Sequence, residues 1–177
     1  MLALPFALST SLAAQRAVSL GYAGTVGEGW QVEGADIGYM IGIHAVGLRW
    51  VTIGTRLGVF SDHGSVNGGS RGFVGAGVLQ GRTGRLRLAD IGSETNPQTL
   101  GADLTVEGIL YGSANSPLPE GSPWGALSIL PGVRFGGDEN IRFGIVAGPT
   151  WYFGQTNSLH AFIGLRFDMP VSGHSPH

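Results

Sequence analysis

Residues 141–153 read Ile-Arg-Phe-Gly-Ile-Val-Ala-Gly-Pro-Thr-Trp-Tyr-Phe, apolar residues alternating with small or polar ones. Strand side chains point to opposite faces in turn, so an alternation of this length is the mark of a two-faced strand. Ile141, Phe143, Ile145, Ala147, Pro149, Trp151 and Phe153 share one face, and Arg142, Gly144, Gly148, Thr150 and Tyr152 share the other. The same Gly-rich pattern recurs from Ala17 to Phe167, broken by short polar stretches. A chain written this way folds as an all-β sheet, and each face needs its own solvent.

Eight strands follow from the pattern, at about 17–26, 31–44, 47–60, 71–81, 99–112, 124–135, 141–153 and 158–167. In the second, Ala35, Ile37, Tyr39, Ile41 and Ile43 oppose Asp36, Gly38, Met40 and Gly42. In the third, Val51, Ile53, Thr55, Leu57 and Val59 oppose Trp50, Thr52, Gly54, Arg56 and Gly58. The fifth sets Leu100, Ala102, Leu104, Val106 and Leu110 against Asp103, Thr105, Glu107 and Tyr111. Residues 71–79 and 85–91 both look extended, and an even strand count requires that one of them not span. We take 71–81 as the fourth strand and 82–98 as an unusually long turn.

At 177 residues the chain makes one domain. Charged residues are 12% of it, about half the usual share, while 42% is hydrophobic. Surface charge is therefore scarce, and something other than water covers much of the outside. The net charge of -2, with ten cationic side chains that are all Arg, argues against nucleic-acid binding. With no Lys there is no Walker-type phosphate loop, and with no Cys there is no disulfide framework or thiolate chemistry. The five His are dispersed, His174 and His177 in the C-terminal segment, so no metal or other cofactor is expected. The 32 Gly lie within apolar strands, which suits a tightly curved sheet around a narrow interior.

Residues 1–14 form an apolar stretch ending in small residues, with Ser11 and Ala13 placed for cleavage after Ala13. We read a signal peptide over 1–14, a barrel over 15–167 and a polar tail over 168–177.

Three features point to a closed antiparallel up-and-down transmembrane β-barrel. Strands of ten to fourteen residues are long enough for the roughly 9–11 that a tilted strand needs to cross a bilayer. Aromatic residues gather at strand ends: Trp30, Phe60, Trp124, Trp151 and Phe153 at one rim, Trp50, Phe135, Phe143 and Phe167 at the other. Charges fall opposite the apolar rows, so Asp36, Arg56, Asp103, Glu107, Arg134, Arg142, His160 and Arg166 are expected to form a lumen network of Arg-carboxylate pairs. Such a plugged lumen argues against a general diffusion pore.

Across nearly the whole chain this pattern resembles the small eight-stranded outer-membrane barrels of Gram-negative-type envelopes. The final alternation of Leu159, Ala161, Ile163, Leu165 and Phe167 resembles the terminal signal read by the barrel-assembly machinery, although the segment 168–177 follows the Phe here. The resemblance implies a bacterial outer-membrane location, with outer-membrane lipid and lipopolysaccharide as surroundings. Some members of that group are lipid-A-modifying enzymes whose deacylases place His and Ser two apart on a late strand, near a carboxylate. Ser158 and His160 stand in reversed order here, with Glu107 or Asp103 to orient the imidazole, and the alternation turns His160 inward. Arg82, Arg85 and Arg87 form a basic cluster suited to anionic headgroups if it lies in the periplasm.

The expected function is a non-enzymatic barrel with a structural or surface-interaction role in the envelope. Two alternatives stand beside it: a lipid-A-modifying barrel enzyme, and a secreted soluble lipocalin-like barrel binding an apolar ligand. The last needs the apolar rows inside and Arg142, Asp103, Glu107 and Arg166 outside.

Overall fold

The computed structural model describes residues 16–27, 31–42, 51–62, 71–83, 86–93, 96–115, 124–136, 142–154 and 157–171. Among them are strands β1 (Arg16–Gly27), β2 (Gln31–Gly42), β3 (Val51–Asp62), β4 (Arg71–Arg82), β5 (Leu86–Ser93), β6 (Asn96–Asn115), β7 (Gly125–Gly136), β8 (Arg142–Phe153) and β9 (Ser158–Val171). The expected leader, 1–14, lies outside the described residues. Among those described, no helix is long and apolar enough to cross a membrane.

All pairings are antiparallel. β1 pairs with both β2 and β9, and β4 pairs with β6, so eight strands close into a ring and β5 lies outside it. Closure leaves the ring without an edge, which is what a sheet needs where water cannot satisfy its backbone.

The interval 82–98 is not a long turn. β4 ends on β6 at the pair Arg82–Thr105, and β5 takes up the same partner from Leu86–Ala102 to Ser93–Asn96. Both extended segments are therefore strands, laid end to end along one side of the 20-residue β6. Thr83 makes the joint: its N–H donates to the Leu104 carbonyl at 2.9 Å, and its hydroxyl accepts from the Leu104 N–H at 3.0 Å. The resulting hairpin projects past the ring at the end that carries Arg16 and Val171. A register shift between Arg87 and Ala89 leaves Arg87 and Asp90 ion-paired on its exposed surface. Of the expected basic cluster, Arg87 is therefore spent on Asp90, Arg82 turns into the lumen, and Arg85 lies outside the described residues.

The stagger of the ring follows from its pairings. From Leu100, successive partners are Phe135, Phe143, Phe167, Leu20, Ile37, Leu57 and Gly75, and the next is Gly112, twelve residues along β6 from the start. A stagger this large tilts the strands steeply and widens the interior for eight strands. Strands of twelve residues at about 45° rise roughly 25–30 Å, the thickness of a hydrocarbon layer.

The two faces separate by polarity. Leu57, Leu110 and Ile163 are 65%, 63% and 58% exposed on the outside, whereas Glu107 and Arg134 are 1% and 2% exposed within. Among the described side chains of the ring, Glu33 is the only charged one facing outward. The inverted arrangement of a soluble, ligand-filled barrel is therefore not the one adopted.

Phe135, Phe143 and Phe167 stand side by side on β7, β8 and β9 near the end carrying the termini, the last two with ring centroids 4.9 Å apart. At the other end Trp124 stacks on Phe153 at 5.9 Å, beside Trp151. Phe60 does not join that belt. It shares the parity of Arg56, four residues earlier, and lies inside over Gly34 and Gly58. Trp30 and Trp50 lie outside the described residues. β9 runs four residues past Phe167, so the barrel does not end there and Asp168 is a strand residue, not part of a tail.

Candidate functional site in the barrel lumen

Two layers of charge cross the lumen. The middle layer holds Asp36 from β2, Arg56 from β3, Glu107 from β6 and Arg166 from β9. Arg56 donates through Nη1 and Nη2 to the two oxygens of Glu107 at 2.5 and 2.6 Å, the fork geometry that suits a carboxylate. Arg166 Nη1 donates to both oxygens of Asp36 at 3.1 and 3.2 Å. Longer contacts tie the two pairs: Arg166 to Glu107 at 3.8 Å and Arg56 to Asp36 at 3.9 Å.

The second layer lies nearer the termini. Arg134 Nε donates to Asp103 at 2.5 Å, Arg134 Nη1 to Asp168 at 3.3 Å, and Arg82 Nη2 to the same Asp168 oxygen at 3.3 Å. Gln80 joins the layers, donating to Glu107 at 3.0 Å while accepting from Arg82 at 3.3 Å. The contacts just described join two guanidinium groups and two carboxylates in each layer, so the groups they join balance in formal charge. That balance is what burial demands, because an unpaired charge in a closed interior costs several kcal/mol.

Of the residues expected in the network, Asp36, Arg56, Asp103, Glu107, Arg134 and Arg166 meet in these layers. Arg142 stands opposite Asp168 in the register and is half-buried. Gln80, Arg82 and Asp168 were not anticipated. Their signal was parity: Gln80 and Arg82 continue the inward row of Val74, Ala76 and Val78, and Asp168 follows Arg166 by two.

Glycine makes room for the guanidinium groups. A Cβ at Gly21 would stand 2.8 Å from both Arg166 Nη1 and Asp36 Oδ2, and one at Gly144 would stand 3.0 Å from Arg134 Cγ. Side chains cross the lumen where the facing strand carries none.

His160 is 2% exposed and faces inward, with its ring edge-on to Tyr152 at 5.1 Å. Its Nε2 lies 2.9 Å from Ser158 Oγ. The carboxylates proposed to orient it are held elsewhere, Glu107 by Arg56 and Gln80, Asp103 by Arg134. Neither of these two carboxylates is therefore the group that orients the His160 imidazole.

On the far side of the middle layer from the termini, the lumen opens into a cavity of about 80 Å³. Its walls include a Ser128–Thr150 hydroxyl pair at 2.8 Å and the stacked rings of Tyr111 and Tyr152 at 6.4 Å. A smaller void of about 20 Å³ lies on the other side, and Arg56, Glu107 and Arg166 border both. The charge layer is the partition between them.

Together these features define a closed eight-stranded antiparallel barrel with an apolar exterior and a lumen partitioned by neutral layers of paired charge. Among solved structures the chain is similar to Neisserial surface protein A, at 9% identity with a TM-score of 0.45, over 89% of this chain and 97% of that one. It is also similar to the N-terminal β-barrel domain of Pseudomonas aeruginosa OprF, at 15% identity with a TM-score of 0.42, over 88% and 99% of the two chains. No protein-family model and no curated protein matches the chain.

Proposed function

We propose that this chain is an integral barrel of a bacterial outer membrane that serves the envelope as a closed, non-enzymatic structural or surface-interaction protein. The supporting observation is the division of faces: an outer surface of Leu, Ile, Val and Phe around a lumen in which the charged layers neutralise themselves. Such a surface belongs against lipid and lipopolysaccharide, and the even ring puts its two described ends on one side, the periplasmic side of such barrels. The outward row Leu159, Ala161, Ile163, Leu165 and Phe167 on β9 supports recognition by the barrel-assembly machinery, with four further strand residues, Asp168 to Val171, beyond it.

Membrane fractionation and a gel of unboiled against boiled protein test this reading. Recovery in the outer-membrane fraction with a faster-migrating unboiled band is expected; recovery in the soluble periplasmic fraction with no shift overturns it. The Ser158–His160 contact at 2.9 Å is the observation that favours a lipid-A-modifying enzyme. His160→Ala is expected to leave lipid A unchanged, and an altered lipid A pattern would restore the enzymatic reading.

A further inference from the structure

The hairpin of β5 and the first residues of β6 lies beyond the ring, and its register sorts its side chains. Residues directly opposite each other in an antiparallel pair point to the same side. Leu86 stands opposite Ala102, Ala89 opposite Leu100 and Ile91 opposite Gln98, all in the parity that faces outward at Leu104 and Val106. Arg87 stands opposite Gly101 and Asp90 opposite Thr99, in the parity that faces the lumen at Asp103 and Thr105. The hairpin is therefore amphipathic. Its polar face carries the Arg87–Asp90 ion pair, whereas Leu86 and Ile91 on the other are 67% and 47% exposed. Exposed apolar patches of this kind mark a contact surface.

Two observations say what covers it. The outward row of β6 runs Val106, Leu104, Ala102, Leu100 without a charge, so the hairpin face continues the outer face of the ring. Its depth also fits. Leu100 stands opposite Phe135, the first of the row Phe135, Phe143 and Phe167, and aromatic residues of such a row sit where hydrocarbon gives way to headgroups. Toward the tip the same face turns polar at Gln98 and Ser93. A second copy is the weaker occupant. Two strands about 10 Å wide and about 24 Å long offer roughly 250 Å². Two such faces together bury roughly 500 Å², well below the ~1,200 Å² of a stable interface.

We propose that this hairpin is an interfacial anchor whose apolar face, Leu86, Ala89, Leu100 and Ala102, lies against the phospholipid of the periplasmic leaflet while Arg87 and Asp90 stay in water. The inference rests on the outer-membrane reading of the ring. Amphipathic helices seat in an interface the same way, with the apolar face sunk about 5–10 Å into the boundary of headgroups and acyl chains.

The chain has no native cysteine, so Leu86→Cys, Ala89→Cys, Thr99→Cys and, on the ring, Leu57→Cys each carry a single bimane. The folded proteins are placed in phosphatidylcholine vesicles in which part of the lipid bears a nitroxide on its headgroup or its acyl chain, with iodide supplied on both sides. Headgroup nitroxide is expected to quench bimane at 86 and 89 roughly threefold more than at 99, and acyl-chain nitroxide to quench it at 57. Should labelling at 86 or 89 abolish the faster unboiled band, the other position carries the comparison. Quenching by lipid at 57, with 86 and 89 no different from 99 and open to iodide, overturns the anchor and leaves the barrel standing. Protection of 86 and 89 from lipid and iodide alike, which is cover by protein, overturns the anchor as well. Loss of lipid quenching at 57 overturns the barrel reading, and the anchor with it.

Discussion

Arg56 and Glu107 meet as a fork, guanidinium to carboxylate, at 2.5 and 2.6 Å, joining β3 to β6 over the strand between them. Both are more than nine-tenths buried. Their pairing is what turns a tube of eight strands into two chambers, because the same residues line the void on either side.

Removing one partner of a buried pair strands the other. Glu107→Ala is expected to cost about 3–5 kcal/mol, whereas replacing both residues, Arg56→Met with Glu107→Leu, costs much less. Urea unfolding in lipid vesicles measures both. A double variant as unstable as the single one would show that the pair acts as more than a compensated burial.

Some inward glycines, Gly21 and Gly144 among them, are space for charged side chains, whereas the outward Gly77 stands beside nothing. Gly21→Ala sets a Cβ against Arg166 and Asp36 and is expected to cost about 1–3 kcal/mol. Gly77→Ala, with nothing within 4 Å of the added Cβ, is expected to fall within about 0.5 kcal/mol of wild type. The same unfolding measurement separates them.

Neighbours in sequence should respond oppositely to charge. Arg56 faces in; Leu57, the next residue, is 65% exposed on the outer face. Leu57→Arg is expected to destabilise the barrel in a bilayer by roughly 2–4 kcal/mol, the cost of an arginine facing lipid near mid-depth. A neutral outcome in vesicles would mean that this face meets water.

Two neutral layers joined through Gln80 leave no continuous wide channel. Liposomes carrying the protein are expected to exclude small sugars, and swelling of those liposomes at a porin-like rate would contradict the closed lumen.

The faces were legible because parity is all-or-none: once Arg142 and Phe143 are assigned to opposite faces, every position on that strand follows. Phe60 shows the limit of reading by residue type instead. Its aromatic character suggested a rim, but its even spacing from Arg56 had already placed it inside. The hairpin of β5 and β6 was illegible for a different reason. Residues 71–82 and 86–93 are each good strands, and no local signal distinguishes a strand that closes a ring from one that extends its neighbour. Arg82 and Asp168 were lost by the same route, as ends of strands taken for turn and tail. The cavity depends on which side chains cross the lumen, a property of the stagger between strands that alternation within any one strand does not carry.

The central claim is the orientation of the two faces, and the absence of native cysteine makes it directly measurable. Single cysteines placed at Leu57 and Leu165 on the outside, and at Ser128 and Thr105 within, carry spin labels in lipid vesicles. Collision with oxygen, which concentrates in lipid, is compared with collision with a water-soluble nickel complex. Labels at Leu57 and Leu165 are expected to favour oxygen strongly while those at Ser128 and Thr105 do not; the opposite division, with 57 and 165 open to nickel, would contradict a barrel that wears its apolar face outward.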